Sequence, residues 1–307
     1  MKVEAVSLTR KFGAVTALDG VSVRLEPGEI AGVAGPNGAG KSTALRILAG
    51  RDLPDSGDVR YDGTSLCEYP EKLLPKIGFM PDALDGSTNT VVAEHLDFAL
   101  RLRGFSGPEK RKRFAETVEK TGIGTMLDNT VASLSKGMRQ RVSLARMLAS
   151  DPEVLLLDEP AAGLDPRARI ELRDILRDLA KKGKTVFLSS HILTELDELC
   201  DRAIIIDRGH ICDDAAARQT LHASGGALLI SAKLAAETFA GLLAKKPEVA
   251  AAEPENAGRV RVELKTGDPA AFIAGLIGEG VPVIGFELIE NKLETRYLDA
   301  TGKDGGK

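Results

Sequence analysis

The sequence lacks several features that would place it in a specialised class of proteins. It contains no tryptophan, and aromatic residues make up only 4% of its 307 residues. Its cysteines are few and far apart, and they form no CxxC pair: Cys67, Cys200 and Cys212. An odd number of widely separated cysteines argues against a disulfide framework or a zinc site. It is typical of a reduced, cytoplasmic compartment.

Long apolar runs and a strong charge imbalance are also missing. No apolar stretch approaches the ~20 residues that a membrane-spanning helix needs, and residues 1–13 lack the apolar core of a secretory leader. Basic residues number 41 and acidic residues 45, so the net charge of −4 gives no reason to expect a nucleic-acid partner. We therefore expect a protein that acts at a membrane only through a partner.

The hydrophobic pattern changes along the chain, and a length of 307 residues predicts about two domains. Residues 1–215 alternate β-rich runs with helical stretches, which predicts an α/β domain with a largely parallel sheet. Nearly continuous apolar runs at 154–158, 185–189 and 203–207 are typical of strands buried on both faces. Residues 83–150 are mostly helical and predict a helical subdomain. Alanine-rich sequence after Asp213 predicts weak helix.

A second pattern occupies residues 222–300. It predicts strands at 227–231, 249–252, 259–265 and 281–288, and helices over 233–245 and from Asp268–Pro269 onward. The resulting β-α-β-β-α-β order is that of a small α+β, ferredoxin-like accessory domain. We expect residues 301–307 to form a flexible tail.

The segment GPNGAGKST at residues 35–43 matches the phosphate-binding pattern G-x-x-x-x-G-K-[ST]. It follows an apolar strand and precedes a helical run, as the pattern requires. Its glycines let backbone N–H groups surround phosphate oxygens, Lys41 reaches the β- and γ-phosphates, and Ser42 holds Mg²⁺. The candidate ATP-binding residues of the loop are Gly35, Asn37, Gly38, Gly40, Lys41, Ser42 and Thr43.

Two carboxylates end the apolar run VLLLDEP at residues 154–160. In open α/β sheets, ligands bind at the carboxyl ends of the strands, so Asp158 is a candidate Mg²⁺ ligand. Glu159 is a candidate to orient or deprotonate the attacking water. The sequence therefore predicts hydrolysis of a nucleoside triphosphate.

The segment LSKGMRQR at residues 134–141 resembles the signature motif of ATP-binding cassette (ABC) ATPases. The motif order is also similar to that family: the phosphate-binding loop, this signature, VLLLDEP, AAGLDP at 161–166 and SSHIL at 189–193. The resemblance covers residues 1–215 and implies a P-loop NTPase fold with a helical subdomain. It also implies ATP as nucleotide.

The resemblance assigns further residues. Phe12 looks like the aromatic residue that stacks on adenine, although it could instead pack in the core. Ser135 and Gly137 correspond to the signature residues that grip the γ-phosphate of ATP held by the opposite subunit. Asp165 corresponds to a residue of the dimer interface, and His191 to the catalytic histidine near the γ-phosphate. Asp82 stands where most of the family has a glutamine, so we expect it to contribute as a metal ligand.

These features favour the ATPase subunit of a bacterial exporter. In this family it works as a homodimer, or with a closely related subunit, on a separate membrane-spanning permease. The signature form LSKGMRQR and the C-terminal domain resemble the exporter branch. The resemblance implies a cytoplasmic protein held at the inner face of the membrane through the permease. The alternatives are an importer ATPase, a soluble ABC ATPase acting on DNA or ribosomes, and a non-catalytic regulatory subunit.

Overall fold

The contacts of the chain divide it into two units, Met1–Ala215 and Ala216–Lys307. The computed structural model describes residues 1–82, 89–216, 227–255, 258–265 and 269–289, together with residues 293, 297, 300 and 301. The start of the predicted helical subdomain (83–88), the predicted cap Asp268 and tail residues 302–307 lie outside the described residues.

The first unit contains ten strands and seven α-helices among its described residues. In chain order they are β1 (Val3–Phe12), β2 (Val15–Leu25), β3 (Ile30–Ala34), α1 (Lys41–Leu48), β4 (Ser56–Tyr61), β5 (Thr64–Ser65), α2 (Pro70–Leu73), β6 (Ile77–Met80), α3 (Val92–Leu102), α4 (Gly107–Thr121), α5 (Lys136–Leu148), β7 (Val154–Leu157), α6 (Pro166–Lys181), β8 (Thr185–Ser189), α7 (Leu193–Leu199), β9 (Arg202–Asp207) and β10 (His210–Ala216).

A six-stranded sheet in the order β10-β9-β3-β8-β7-β6 forms the centre of this unit. Strands β3, β6, β7, β8 and β9 pair in parallel. Every residue of β3, β7 and β8 is buried, as their apolar composition predicts for strands covered on both faces. The parallel arrangement brings the carboxyl ends of β3, β6, β7 and β8 to one edge of the sheet.

A second sheet, which the sequence pattern did not predict, has the order β2-β1-β4-β5 and is antiparallel. The expectation of one largely parallel sheet was therefore incomplete. The alternation of β1 is interrupted by register shifts between Ala5 and Lys11, including Ser7 with φ +49°. Such irregularities hide the two-residue period that identifies a strand.

Helices α3, α4 and α5 form the helical part of the unit and share an apolar core of their own. Its buried members include Val92, Leu96, Leu100, Val142 and Ala145. These residues recur at helical spacing on α3 and α5, so each helix buries one face against the other. The predicted helical region is thus a separate hydrophobic cluster that carries the candidate signature motif on α5.

The second unit contains a four-stranded sheet and two helices among its described residues. They are β11 (Ala227–Ala232), α8 (Ala236–Leu243), β12 (Val249–Pro254), β13 (Arg259–Leu264), α9 (Pro269–Gly278) and β14 (Val283–Ile289). The strand order is β12-β13-β11-β14, and the paired strands are antiparallel. This is the β-α-β-β-α-β order predicted from the sequence. Val260, Val262 and Leu264 lie together in its core, as their strict alternation requires.

Two local expectations were wrong. Residues 214–216 belong to strand β10 rather than to weak helix. Thr301, which we expected in the flexible tail, is helical and donates a hydrogen bond from its hydroxyl to the Tyr297 carbonyl at 2.6 Å. Alanine has a high helix propensity, but pairing with a neighbouring strand overrides it in β10.

In the part of the chain that the structure describes, no helix is both long and apolar enough to cross a membrane.

Candidate functional site

The loop between β3 and α1 carries the phosphate-binding pattern, and its glycines are required by the backbone. A Cβ added to Gly35 would lie 2.2 Å from the carbonyl oxygen of Ile206. Gly40 has φ +110°, and a Cβ there would lie 2.4 Å from the carbonyl oxygen of Ala17. Gly38 has φ +85° but faces open space. The loop therefore packs closely against the rest of the protein at Gly35 and Gly40. Its opposite side is open to solvent, where Asn37 and Gly38 are exposed.

Lys41 begins helix α1 and is almost fully buried. Its ammonium group donates hydrogen bonds to the carbonyl oxygens of Gly35 at 2.6 Å and Pro36 at 3.1 Å. Burial lowers the pKa of Lys41 from its ordinary value, while the carboxylates of Glu159 and Asp158 act in the opposite direction. The ammonium group thus lies in the phosphate-binding loop, within electrostatic range of the two predicted carboxylates. Thr43, two residues further along α1, is also buried.

Ser42 and Asp158 are 116 residues apart in sequence and meet at the edge of the sheet. The Ser42 hydroxyl donates to Asp158 Oδ1 at 3.0 Å. Ser189, at the end of β8, donates its hydroxyl to the same oxygen at 2.7 Å. Asp158 is buried at the end of β7, so these two hydroxyls fix the orientation of its carboxylate.

Glu159 and His191 form a direct pair, with His191 Nδ1 2.7 Å from Glu159 Oε2. Glu159 is half-buried and has φ +49°, a left-handed conformation that a non-glycine residue rarely adopts. Its backbone N–H donates to Ser189 Oγ at 2.9 Å. His191 follows β8 and is 56% exposed, so its imidazole is not a core group. Both residues follow parallel strands, β7 and β8, and so lie at one edge of the sheet.

Asp82 does not contact Asp158 through a described side-chain bond. It follows β6, whose pairing with β7 places it at the same sheet edge, and its side chain is exposed. Its backbone carbonyl accepts a hydrogen bond from Gln140 Nε2 at 3.0 Å. The structure therefore brings Asp82 near the carboxylate turn but gives it no described bond to the proposed metal ligands.

Ser135 and Gly137 lie at the N-terminus of α5. Ser135 is the N-cap, and its hydroxyl accepts a hydrogen bond from the Met138 N–H at 3.3 Å. A Cβ on Gly137 would lie 3.0 Å from the Gly163 carbonyl oxygen, so this helix end packs closely on the AAGLDP loop. The exposed N-terminus of α5 presents N–H groups and the positive end of its dipole, which suit an anion.

Asp165 occupies the N-cap of α6, where its Oδ1 accepts from the Ala168 N–H at 2.9 Å and Pro166 takes the first helical position. This local role was visible in the sequence as Asp-Pro, although we assigned Asp165 only to a dimer interface. The residue is exposed, so capping its helix does not remove it from the surface.

Phe12 lies at the end of β1 and is 46% exposed, which contradicts the alternative that it packs in the core. The Arg10 guanidinium lies over its ring, 4.7 Å from the centroid. Arg10 is itself held by Asp52 at 2.9 Å and Asp55 at 3.0 Å. The ring is therefore ordered at the surface and available for stacking.

Sequence reasoning missed two buried polar residues that organise this site, Ser189 and Gln140. Ser189 links the backbone of Glu159 to the carboxylate of Asp158. Gln140 donates to the carbonyls of both Asp82 and Glu159. Their positions within SSHIL and LSKGMRQR were the available signal, but nothing in the local pattern identifies their partners.

The oxygen atoms at the sheet edge fit Mg²⁺. The Ser42 hydroxyl and the Asp158 carboxylate are hard oxygen ligands. Their direct hydrogen bond shows that the two oxygens are close enough to bind one ion. Within the described ranges, no group of three or more His, Cys, Asp or Glu side chains is arranged to hold a metal ion. Mg²⁺ suits this arrangement because it keeps several waters and takes phosphate oxygens in addition to one or two protein ligands.

Known proteins with similar sequences share these features. A family profile described as ABC transporter matches residues 18–162. Nod factor export ATP-binding protein I of Ralstonia nicotianae is 37% identical, and the aligned region covers 66% of this chain and 63% of that protein's length. The protein of that name in Paraburkholderia xenovorans is 36% identical, and the aligned region covers 67% of this chain and 68% of the relative.

A relative matched along nearly its whole length is linearmycin resistance ATP-binding protein LnrL of Bacillus subtilis. It is 28% identical, and the alignment covers 98% of both chains. Among solved structures, a dimeric, post-hydrolysis form of the ATP-binding cassette MJ0796 bound to ADP and Pi is 28% identical. That match has a TM-score of 0.65 and covers 70% of this chain and 99% of the solved one.

The fold, the loop and these relatives together define a P-loop ATPase cassette. The chain belongs to the ATP-binding proteins of the ABC transporter family. The predicted family and the predicted P-loop ATPase fold of the first unit are thereby confirmed. The curated relatives are of the exporter type, as the sequence indicated.

Proposed function

We propose that this chain is the ATP-binding and ATP-hydrolysing subunit of a bacterial ABC exporter, which powers transport through a separate membrane-spanning permease. One observation carries this proposal above the others: Ser42 and Asp158 are hydrogen-bonded at the sheet edge, next to the Glu159–His191 pair. That arrangement would place metal binding and water activation next to the phosphate-binding loop. The export and drug-resistance names of the relatives support the direction of transport.

The phosphate-binding loop would hold the triphosphate of ATP through its backbone N–H groups. Lys41 would exchange its two carbonyl partners, Gly35 and Pro36, for oxygens of the β- and γ-phosphates. Phe12 would stack on the adenine with the ring face that Arg10 does not cover. The bonds that Lys41 makes now are to carbonyl oxygens of the loop itself, which supports its assignment to phosphates held in that loop.

Ser42 and Asp158 would hold Mg²⁺, and Asp82 is a further oxygen donor at the same sheet edge. Bound Mg²⁺ supplies positive charge that offsets the charge of the phosphates. Ser189 keeps Asp158 aimed at this point by donating to Oδ1, the oxygen that also accepts from Ser42. The chain's own contribution is therefore the fixed orientation of two oxygen ligands.

Glu159 would orient the attacking water and accept its proton. Its Oε2 is engaged with His191 Nδ1, so we assign the water to Oε1. His191 holds the carboxylate in place and would contact the γ-phosphate through its other ring nitrogen. General-base catalysis of this kind contributes about 10²–10⁴ in rate.

Ser135 and Gly137 would grip the γ-phosphate of ATP held by a second copy of the chain or a closely related subunit. The described contacts of this helix end are with its own loop at Gly163, and its N–H groups suit an anion. Asp165 would lie in the same interface. Because both subunits would ligate one γ-phosphate, ATP favours the closed dimer and hydrolysis releases it. The dimeric state of the related cassette MJ0796 supports this arrangement.

We further propose that residues 222–300 form an accessory domain with no nucleic-acid role, and that the chain is held at the cytoplasmic membrane face by its permease. β13 is an inner strand of that domain's sheet, exposes Arg259 and partly exposes Arg261, and has no aromatic residue that could stack on a base. An exposed aromatic residue of the described part, Phe286, lies on the edge strand β14.

The proposal is tested by measuring phosphate release from ATP by the purified chain. We expect turnover that requires Mg²⁺ and stops when the metal is chelated. Reconstitution with a six-helix permease encoded beside it should give ATP-dependent export. Turnover stimulated by DNA or ribosomes, or uptake rather than export, would favour the alternatives. Absence of any turnover with and without the permease would indicate a regulatory subunit.

A groove in the first unit suits the permease contact. It has a volume of about 1690 Å³ and is lined by residues of α3, α4 and the segment between α1 and β6. Phe98 and Leu102 on α3 line it and are 60% and 70% exposed. Six basic side chains, among them Arg51, Arg103 and Arg146, and three acidic ones also line it, so its net charge is positive. Apolar anchors beside positive charge suit an amphipathic segment that carries a carboxylate.

Replacing Phe98 and Leu102 together with alanine is expected to weaken permease association at least tenfold, because each side chain loses about 1.5–3 kcal/mol of burial. ATP turnover of the isolated chain should stay within twofold. Ile170→Ala is the matched control, since Ile170 is an apolar side chain of similar exposure on α6. Association measured by co-purification and unchanged in the double variant would rule out this groove.

A further inference from the structure

Gln140 occupies an unusual position between three of the motifs. It lies on α5, five residues after the signature Ser135, and is only 2% exposed. Its Nε2 donates to the carbonyl oxygen of Asp82 at 3.0 Å and to that of Glu159 at 3.1 Å. One buried amide therefore joins the signature helix, the segment after β6 and the turn that carries the candidate general base.

The two carbonyl partners determine which end of the Gln140 amide faces them. A carboxamide has an NH₂ end that donates and an oxygen that accepts, and only the NH₂ end can satisfy two carbonyl oxygens. The oxygen Oε1 is buried and has no hydrogen-bond partner among the described residues. A buried polar atom without a partner is costly, which argues against Gln140 as a mere filler of the core.

The backbone of Glu159 needs outside support. Its φ of +49° is strained for a glutamate, and such conformations persist where the surroundings impose them. Its N–H donates to Ser189 Oγ, and its carbonyl accepts from Gln140 Nε2 and from the Ala162 N–H at 3.1 Å. Gln140 supplies the one bond in this set that comes from the signature helix.

We propose that Gln140 is a positioning residue that sets the backbone of Glu159 according to the position of α5. Displacement of α5 at its signature end moves Gln140 Nε2 relative to the Glu159 carbonyl oxygen. The backbone of Glu159 follows, and its carboxylate, which faces the water, moves too. Binding of a γ-phosphate at Ser135 and Gly137 would thereby adjust the general base of the same chain. This inference rests on the proposed ATPase function.

The test replaces Gln140 with methionine, which has a similar size and no donor. We expect kcat for ATP hydrolysis to fall at least tenfold, whereas KM and the Kd for ADP change less than threefold. Ser143→Ala is the matched control, because Ser143 is buried one turn further along α5 and its hydroxyl has no partner among the described residues. The control should keep its kcat within twofold.

A double-mutant cycle separates positioning from general packing. In a Glu159→Gln background, measured by single-turnover hydrolysis of radiolabelled ATP, Gln140→Met should lower the residual rate less than threefold, because the group it positions has already been removed. An equal loss in both backgrounds, an unchanged kcat in the single variant, or an effect confined to KM would each overturn the proposal.

A second substitution guards against failure to fold. Gln140→Glu keeps the size and polarity but directs a carboxylate oxygen at two carbonyl oxygens, so it should lower kcat at least as much as methionine. Thermal unfolding with bound ADP establishes that each variant is folded. A wild-type chain without turnover would refute the ATPase function itself, whereas an active wild type with unaffected Gln140 variants would refute only the positioning role.

Discussion

Replacing Glu159 with glutamine is expected to lower kcat for ATP hydrolysis by about 10²–10⁴, the range for loss of a general base. The amide is isosteric, so the backbone bonds to Ser189 and Gln140 should survive. It cannot accept the proton of the attacking water at neutral pH. The Kd for MgATP should stay within about threefold, since Glu159 is not assigned to nucleotide binding. Both values are obtained from phosphate release and equilibrium binding.

The matched control is Glu153→Gln. Glu153 precedes strand β7 at the opposite end from Glu159, and its exposed carboxylate pairs with Lys76 at 3.2 Å. It should hydrolyse ATP at the wild-type rate. If Glu159→Gln also kept the wild-type kcat, Glu159 would not be the residue that activates water.

Replacing Lys41 with alanine is expected to weaken MgATP binding by about 10²-fold or more. Charge-assisted hydrogen bonds contribute about 1.5–3 kcal/mol each, and Lys41 is assigned two phosphate groups. The ammonium group interacts electrostatically with the Asp158 and Glu159 carboxylates, so its loss also removes positive charge that opposes theirs. Titration with a fluorescent ATP analogue measures the change.

Lys181→Ala serves as its control, because Lys181 is an exposed lysine in the last turn of α6. Its removal should leave nucleotide affinity within twofold. An affinity unchanged in Lys41→Ala would mean that the triphosphate is held elsewhere, which would refute the phosphate-binding assignment.

The sequence predicts those parts of the site that follow from local chemistry. The glycine-rich pattern between a strand and a helix predicts a tight loop, and Gly38 and Gly40 have the positive φ that such a loop allows glycine to adopt. Asp158 and Glu159 follow a fully buried strand, and parallel pairing brings them to the edge that also carries His191. These relations depend on spacing within short segments, which is why they are predictable.

What escaped prediction depends on contacts between distant segments. Gln140 and Ser189 each bond to backbone or carboxylate groups at least 19 residues away, and their own neighbours in sequence give no sign of those partners. The antiparallel sheet of β1, β2, β4 and β5 was missed because irregular register obscures the alternation of β1. Polar residues in functional motifs therefore merit attention even where their partners are unknown.

The central claim is that two chains share one ATP, so that hydrolysis separates them. Sedimentation of Glu159→Gln with saturating MgATP, alone and with its permease, tests this claim most directly. For the isolated chain, we predict a species of twice the 32.6-kDa chain mass with MgATP and a single chain with MgADP. With the permease, we predict two copies of the chain in contact in each complex with MgATP. A Glu159→Gln protein that binds MgATP yet remains a single copy in both settings would contradict the account.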